Sequence, residues 1–154
     1  MKIIAFDLGS NMALAHNGCG DVAVVEHKLF TGPRAHRAYF TMKWIDERLR
    51  ACRAQGIKFD AAVYELPFAR GRDATRCLWG IAGIIEAVCT SWGMAVLDVT
   101  PGEIKKFAAG KGGASKEEMG DAAEAMGYPG GNEHGADAFL LLKYAERYIP
   151  ERTK

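Results

Sequence analysis

Net charge is nearly absent from this sequence: 20 Lys and Arg stand against 19 Asp and Glu, a formal +1. Composition therefore does not mark a nucleic-acid binder, and any attraction for a polyanion has to come from local clusters. Paired cysteines are absent as well. Cys19, Cys52, Cys77 and Cys89 lie far apart, with no Cys-x-x-Cys and no Cys and His spacing suited to zinc, so reduced structural thiols are expected. No apolar stretch is long and uninterrupted enough to cross a bilayer, and the N-terminus leads straight into a strand without a signal-peptide layout, which points to a cytoplasmic protein with no membrane partner. No purely polar or repetitive tract occurs, which argues against intrinsic disorder.

What is present is the composition of a globular domain, 49% hydrophobic and 25% charged. A chain of 154 residues buries one substantial core and is too short for two ordinary domains, so a single domain over 1–154 is expected. Residues 2–8 (KIIAFDL) form an apolar run that ends at Asp7 before Gly9, the pattern of a buried strand stopping at a tight turn. Residues 12–17 and 22–30 read as two further strands, with Asn17, Gly18, Gly20 and Asp21 supplying the turn between them. From Arg34 to Gln55, Ala38, Met42, Ile45, Leu49 and Cys52 recur at helical spacing, and Gly56 stands where a C-terminal cap belongs.

Residues 60–66 (DAAVYEL) make a fourth strand stopped by Pro67, Leu78, Ile81, Ile85 and Val88 mark a second helix, and residues 94–99 make a fifth strand. Thr100 with Glu103, and Ser115 with Glu118, carry capping-box spacing at the starts of two short helices separated by a Gly- and Lys-rich loop. Asn132 caps a last helix with the stripe Ala136, Leu140 and Tyr144. The order βββ-α-β-α-β-α-α-α implies an α/β domain with a mixed sheet and helices on its faces.

The chemistry concentrates at Asp7 near the end of the first strand, Glu65 near the end of the fourth, and His134 with Asp137 in the first turn of the last helix. If the first and fourth strands are parallel neighbours, Asp7 and Glu65 emerge at one edge. Residues 134 and 137 share a helix face that can pack over it. Such a cluster of hard oxygen ligands and one imidazole can hold two Mg²⁺ ions about 4 Å apart for phosphodiester cleavage. Taken singly, Asp7 could merely shape the turn, and Asp137 and His134 could serve the helix dipole or cap. Glu65 follows an apolar run in which an unpaired carboxylate is costly to bury. The convergence of all three elements is what favours a site. Two basic clusters accompany it: Arg70, Arg72 and Arg76 after the fourth strand, and Lys105, Lys106, Lys111 and Lys116 farther on, which taken alone could each be a solvated face. GKGGASK is not a phosphate-binding P-loop, because Gly112 rather than Ser or Thr follows Lys111 and a helix leads in.

At these residues the chain resembles a known family. IIAFDLG, VYELPF and NEHGADAFLLLKYA are similar to the three acidic blocks of RuvC-type Holliday junction resolvases, in the same order and at similar separations over nearly the whole chain. The resemblance implies a ribonuclease H-like fold with strand order 3-2-1-4-5, a homodimer, and two-metal hydrolysis of branched DNA that leaves a 5′-phosphate and a 3′-hydroxyl. It makes Asp7, Glu65 and Asp137 metal ligands for Mg²⁺, with Mn²⁺ able to substitute. His134 stands where many members carry aspartate and others carry the histidine of an H-x-x-D motif, so it either binds metal or positions the attacking water; Glu133 is a weaker candidate for the missing carboxylate. Phe68 corresponds to an aromatic residue that stacks on bases at the junction, and Lys105 or Lys106, with Lys116, to lysines at the scissile phosphate.

A short chain with a relaxed motif also fits a phage-encoded resolvase, acting in the host cytoplasm on four-way junctions, forks and flaps. Three other functions compete. DLGS is also similar to the first phosphate loop of actin-like phosphotransferases, which need a second domain to enclose the nucleotide. A ribonuclease acting on RNA–DNA hybrids would use the same fold and acids. A non-catalytic nucleic-acid-binding domain would have no need of all three acids.

Overall fold

Alternation along β1 (Ile3–Asp7) decides how the rest packs. Successive strand residues face opposite sides, so Ile3 and Ala5 enter one apolar core while Ile4 and Phe6 enter another across the sheet. All four are essentially inaccessible. Asp7 continues the Ile3 and Ala5 side at the point where the strand leaves the core. The structure is a computed structural model that describes residues 1–9, 11–19, 21–28, 32–68 and 71–152.

β2 (Asn11–Cys19) and β3 (Asp21–Lys28) extend β1 as an antiparallel meander, and β4 (Ala61–Glu65) and β5 (Ala95–Val99) add to its other side in parallel, giving the order β3-β2-β1-β4-β5. The expected α/β architecture with the ribonuclease H-like strand order is the one observed. Two reversals of direction leave β3 parallel to β1. The C-terminal ends of β1, β3, β4 and β5 therefore lie at one edge of the sheet.

Helices α1 (Arg34–Ala54) and α2 (Arg72–Ser91) cover the Ile4 and Phe6 face. Helices α3 (Pro101–Ala109), α4 (Lys116–Ala125) and α5 (Glu133–Arg152) cover the other. Both short helices start with a complete capping box, Thr100 with Glu103 and Ser115 with Glu118. No helix among the described residues is long and apolar enough to cross a membrane, and the four cysteines are free thiols.

The phase of α1 differs from the periodic expectation. Its buried residues are Thr41, Trp44, Ile45 and Leu49, whereas Met42 is 43% exposed. Apolar residues occur all round this helix, so spacing alone does not single out one face; the largest, Trp44, wins the core by stacking on His27 of β3 at 4.7 Å. Thr41 tolerates burial because its hydroxyl donates to the Arg37 carbonyl at 2.8 Å. The third strand, expected over 22–30, runs from Asp21 to Lys28; Leu29 and Phe30 lie outside the described residues.

Candidate functional site

The β1–β4 register pairs Phe6 with Tyr64, so the next residues along the two parallel strands, Asp7 and Glu65, leave the sheet side by side. Neighbouring strands are about 4.8 Å apart. Glu65 follows Ala61 and Val63 on the same side that Asp7 shares with Ile3 and Ala5, so both carboxylates face α5. Burial, reinforced by the negative charges of Asp137 and, for Glu65, of Asp7, pushes Asp7 up to about 6 and Glu65 up to about 7. Burial also raises Asp137 above the usual carboxylate range, against the pull of His134 and Lys116.

The third acid arrives on the first turns of α5, and the chain holds that terminus with several contacts. Asn132 caps the helix, its side-chain oxygen accepting from the backbone N–H of His134 at 2.9 Å and of Gly135 at 3.2 Å. Glu26 on β3 in turn accepts from the Asn132 backbone N–H at 3.1 Å and from its side-chain amide, and the Tyr128 hydroxyl donates to the Asn132 carbonyl at 3.2 Å. Gly135 leaves room for this packing, since a Cβ there would displace the Tyr128 hydroxyl and the Glu26 carboxylate. The clamp sets His134 over the sheet edge, with Nδ1 at 3.0 Å from the Asp7 carboxyl. That contact needs a proton, carried by the imidazole or by the acid.

Sequence reasoning identified Asn132 as a cap but missed Glu26 and Gly135. A glycine early in a helical pattern is a signal of close packing that could have exposed the second; a single glutamate in a polar strand carries no signal of its own. Replacing Asn132 with Ala is expected to cost about 1 kcal/mol, the usual worth of an N-cap. Thermal melts measure it, and an unchanged midpoint would show that Glu26 and Tyr128 hold the terminus without the cap.

Beside the acids is a cavity of about 190 Å³, lined by Glu65 and Asp137, by Lys105 and Lys116, and by the apolar Ile104 and Met119. Lys116 pairs with Glu133 at 2.7 Å, which lowers the Glu133 acid and raises the lysine. Lys106, an equal candidate by sequence, faces a different cleft with Phe107, Tyr144 and Tyr148. The rotation of about 100° between successive helical residues separates it from Lys105. Lys111 pairs with Glu118 at 2.5 Å. Phe68, three residues past Glu65, is 75% exposed. Arg76 is exposed on α2, Arg72 opens that helix, and Arg70 lies outside the described residues.

Among the described residues, no three His, Cys, Asp or Glu side chains are gathered closely enough to hold a metal ion as they stand. The donor chemistry nevertheless fits a divalent cation. Asp7, Glu65 and Asp137 are all raised by burial, with other acids nearby adding to the effect, and one oxygen of Asp7 is taken up by His134.

The sequence matches no protein-family model and no curated protein. Solved structures do match. Thermus thermophilus RuvC superimposes with a TM-score of 0.77 at 20% identity, over 99% of this chain and 98% of that one. The same protein in complex with Holliday junction substrate gives 0.79 at 20% identity, over 99% and 97%. The yeast mitochondrial Holliday junction resolvase Ydc2 gives 0.58 at 9% identity, over 98% and 81%. At these identities the likeness establishes the fold, which is that of RuvC.

Proposed function

We propose that this chain is a metal-dependent endonuclease that cuts branched DNA, with four-way junctions as the first substrate to test. The observation that carries the reading is the set of half-buried carboxylates from β1, β4 and α5 at one sheet edge, with raised pKa values and two lysines lining the adjoining cavity. Buried acids that repel one another are costly unless something positive is to be held there. The fold shared with RuvC supports the same reading.

Asp7, Glu65, Asp137 and His134 would hold two Mg²⁺ or Mn²⁺ ions, whose chemistry when bound is to activate water and to stabilise the leaving oxygen. Lys105 and Lys116 bind the phosphate at the cavity, Lys116 exchanging Glu133 for a phosphate oxygen. Attack of water on phosphorus breaks the bond to the 3′ oxygen, leaving a 3′-hydroxyl and a 5′-phosphate. Phe68 stacks on an unpaired base at the branch, a contact worth about 1–3 kcal/mol. Arg70, Arg72, Arg76 and Lys111 add backbone contacts. Paired incision of a four-way junction calls for a twofold dimer with two such sites. Light scattering of protein and junction together tests it, and a monomer in both states would favour forks or flaps.

The deciding experiment incubates the protein with Mg²⁺ and, separately, a synthetic four-way junction, a fork, a linear duplex and an RNA–DNA hybrid, then maps the products. Paired nicks confined to branched substrates are expected. Cleavage of the hybrid alone would make the chain a ribonuclease H, and binding without cleavage would make it a non-catalytic domain.

His134 gives a directional test. As a ligand, its imidazole favours Mn²⁺ over Mg²⁺ relative to a carboxylate. Replacing His134 with Asp should then shift the preference toward Mg²⁺ with activity kept. As a water-positioning base, the same change lowers the rate in both metals and alters the acidic limb of the pH profile. A His134→Ala protein unchanged in rate, metal preference and pH profile would refute both roles.

A further inference from the structure

β3 ends at Lys28, on the sheet edge that carries Asp7 but toward its outer flank. The pairings of Asp7 with Ala13 and of Ala13 with Glu26 place Glu26 two strands away, and Lys28 is two residues farther along. Strand spacing and rise put the Lys28 backbone about 10 Å across and about 7 Å beyond Asp7. Against this end packs the N-terminal half of α1, leaving a cleft of about 350 Å³ walled by His27, Lys28, Phe40, Lys43, Trp44 and Glu47.

The character of the cleft is aromatic and basic. His27 and Trp44 stack nearly parallel as its floor, and Phe40 is 41% exposed at its rim. Burial, and then the charge of Arg48, lowers the His27 pKa, so near neutral pH it is a neutral ring. Lys28 and Lys43 supply cations, against the one acid, Glu47, which lies 3.8 Å from Lys43 in an exposed pair that is easily exchanged. Arg37 sits one turn before Phe40 on the same stripe of α1. Among the described residues its buried Nε has no hydrogen-bond partner. A chain with a formal charge of only +1 places six Lys and Arg against two acids on α1.

We propose that the β3–α1 cleft is a second nucleic-acid contact, holding the sugar-phosphate backbone of a DNA strand that leaves the carboxylate edge. Lys28 and Lys43 hold phosphate oxygens, and Phe40 supports a base or sugar. At one phosphate per about 3.4 Å of duplex axis for each strand, the contact falls about three or four nucleotides from the cut. The inference rests on the branched-DNA reading.

The test measures binding of a labelled synthetic four-way junction over a series of salt concentrations. Lys28→Ala with Lys43→Ala should flatten the log–log slope by about 1.8, since each phosphate contact on duplex DNA contributes about 0.9. Arg at both positions should preserve the slope, and circular dichroism should show all three proteins folded, because both lysines are on the surface. A photo-reactive benzophenone side chain in place of Phe40 should cross-link to nucleotides three or four from the incision. An unchanged slope in the double Ala protein overturns the cleft while leaving the nuclease reading intact. Failure of the wild-type protein to bind any branched DNA overturns the nuclease reading, and the cleft with it.

Discussion

Asp7→Asn, Glu65→Gln and Asp137→Asn are each expected to lower the rate of the proposed junction cleavage by about a thousandfold or more, while affinity for the junction is kept or slightly improved. A thousandfold corresponds to about 4 kcal/mol of transition-state stabilisation. Each amide matches the carboxylate it replaces in shape and removes only its charge. Cation holding depends on that charge, and these three acids are the ones the fold brings to a single edge from β1, β4 and α5. Phosphate affinity depends instead on lysines, and deleting an anion near Lys105 and Lys116 strengthens it. Single-turnover cleavage paired with a binding assay separates the two effects. Wild-type cutting by any one variant would remove that residue from the site, and loss of binding in all three would mean that the acids maintain the fold rather than the chemistry.

The metal-free protein is expected to be most stable near pH 4 and to weaken steadily up to about pH 7. Asp7, at about 6 in the folded chain against an ordinary 3.8, and Glu65, at about 7 against 4.5, hold protons that the unfolded chain has already released. Between those limits the folded state binds more protons, so stability falls as pH rises. The contribution is complete below the unfolded values and gone above the folded ones. A two-unit shift corresponds to on the order of 3 kcal/mol, or roughly 6–12 °C of melting temperature in a domain of this size.

Asp46, Glu118 and Glu133 shift the other way through partnership with Arg50, Lys111 and Lys116, and their small exposed contributions are lost only at lower pH. Glu65→Gln should flatten the profile and melt above wild type at pH 8, and millimolar Mg²⁺ should restore much of the lost stability to wild type alone. Equal melting temperatures from pH 5 to pH 8 in wild type and variant would show that the acids are not buried together.

Folding gathers Asp7, Glu65 and Asp137 where burial and mutual repulsion disfavour their negative charge. The extent to which that feature is legible in the sequence differs residue by residue. Asp7 and Glu65 could be singled out because each ends an apolar strand, where a carboxylate has a physical reason to be noticed. His134 and Asp137 could be grouped because three residues along a helix is a shared face. Strand periodicity and capping boxes report forces acting within a few residues, and for that reason the sheet, its helices and their order were readable from one chain.

Other features depend on contacts that span the sequence. The hydrogen bond between His134 and Asp7 joins residues 127 apart, and the one between Asn132 and Glu26 joins residues 106 apart. No local pattern marks Glu26, because its role exists only once β3 lies beside the start of α5. Lys105 and Lys106 are adjacent and chemically identical, and only the orientation of α3 on the core sends one to the acids and the other to a separate cleft. The face that α1 buries was settled by Trp44 stacking on His27 of β3, and the same contact forms part of the cleft between Lys28 and Lys43. The sequence by itself determined the elements and their order and marked the acids as candidates, because element type follows from short-range sterics and hydrophobic spacing. Tertiary packing decided which neighbours those acids acquire and which cations face them, because such contacts are set by how helices lie on a sheet and leave no trace in local periodicity.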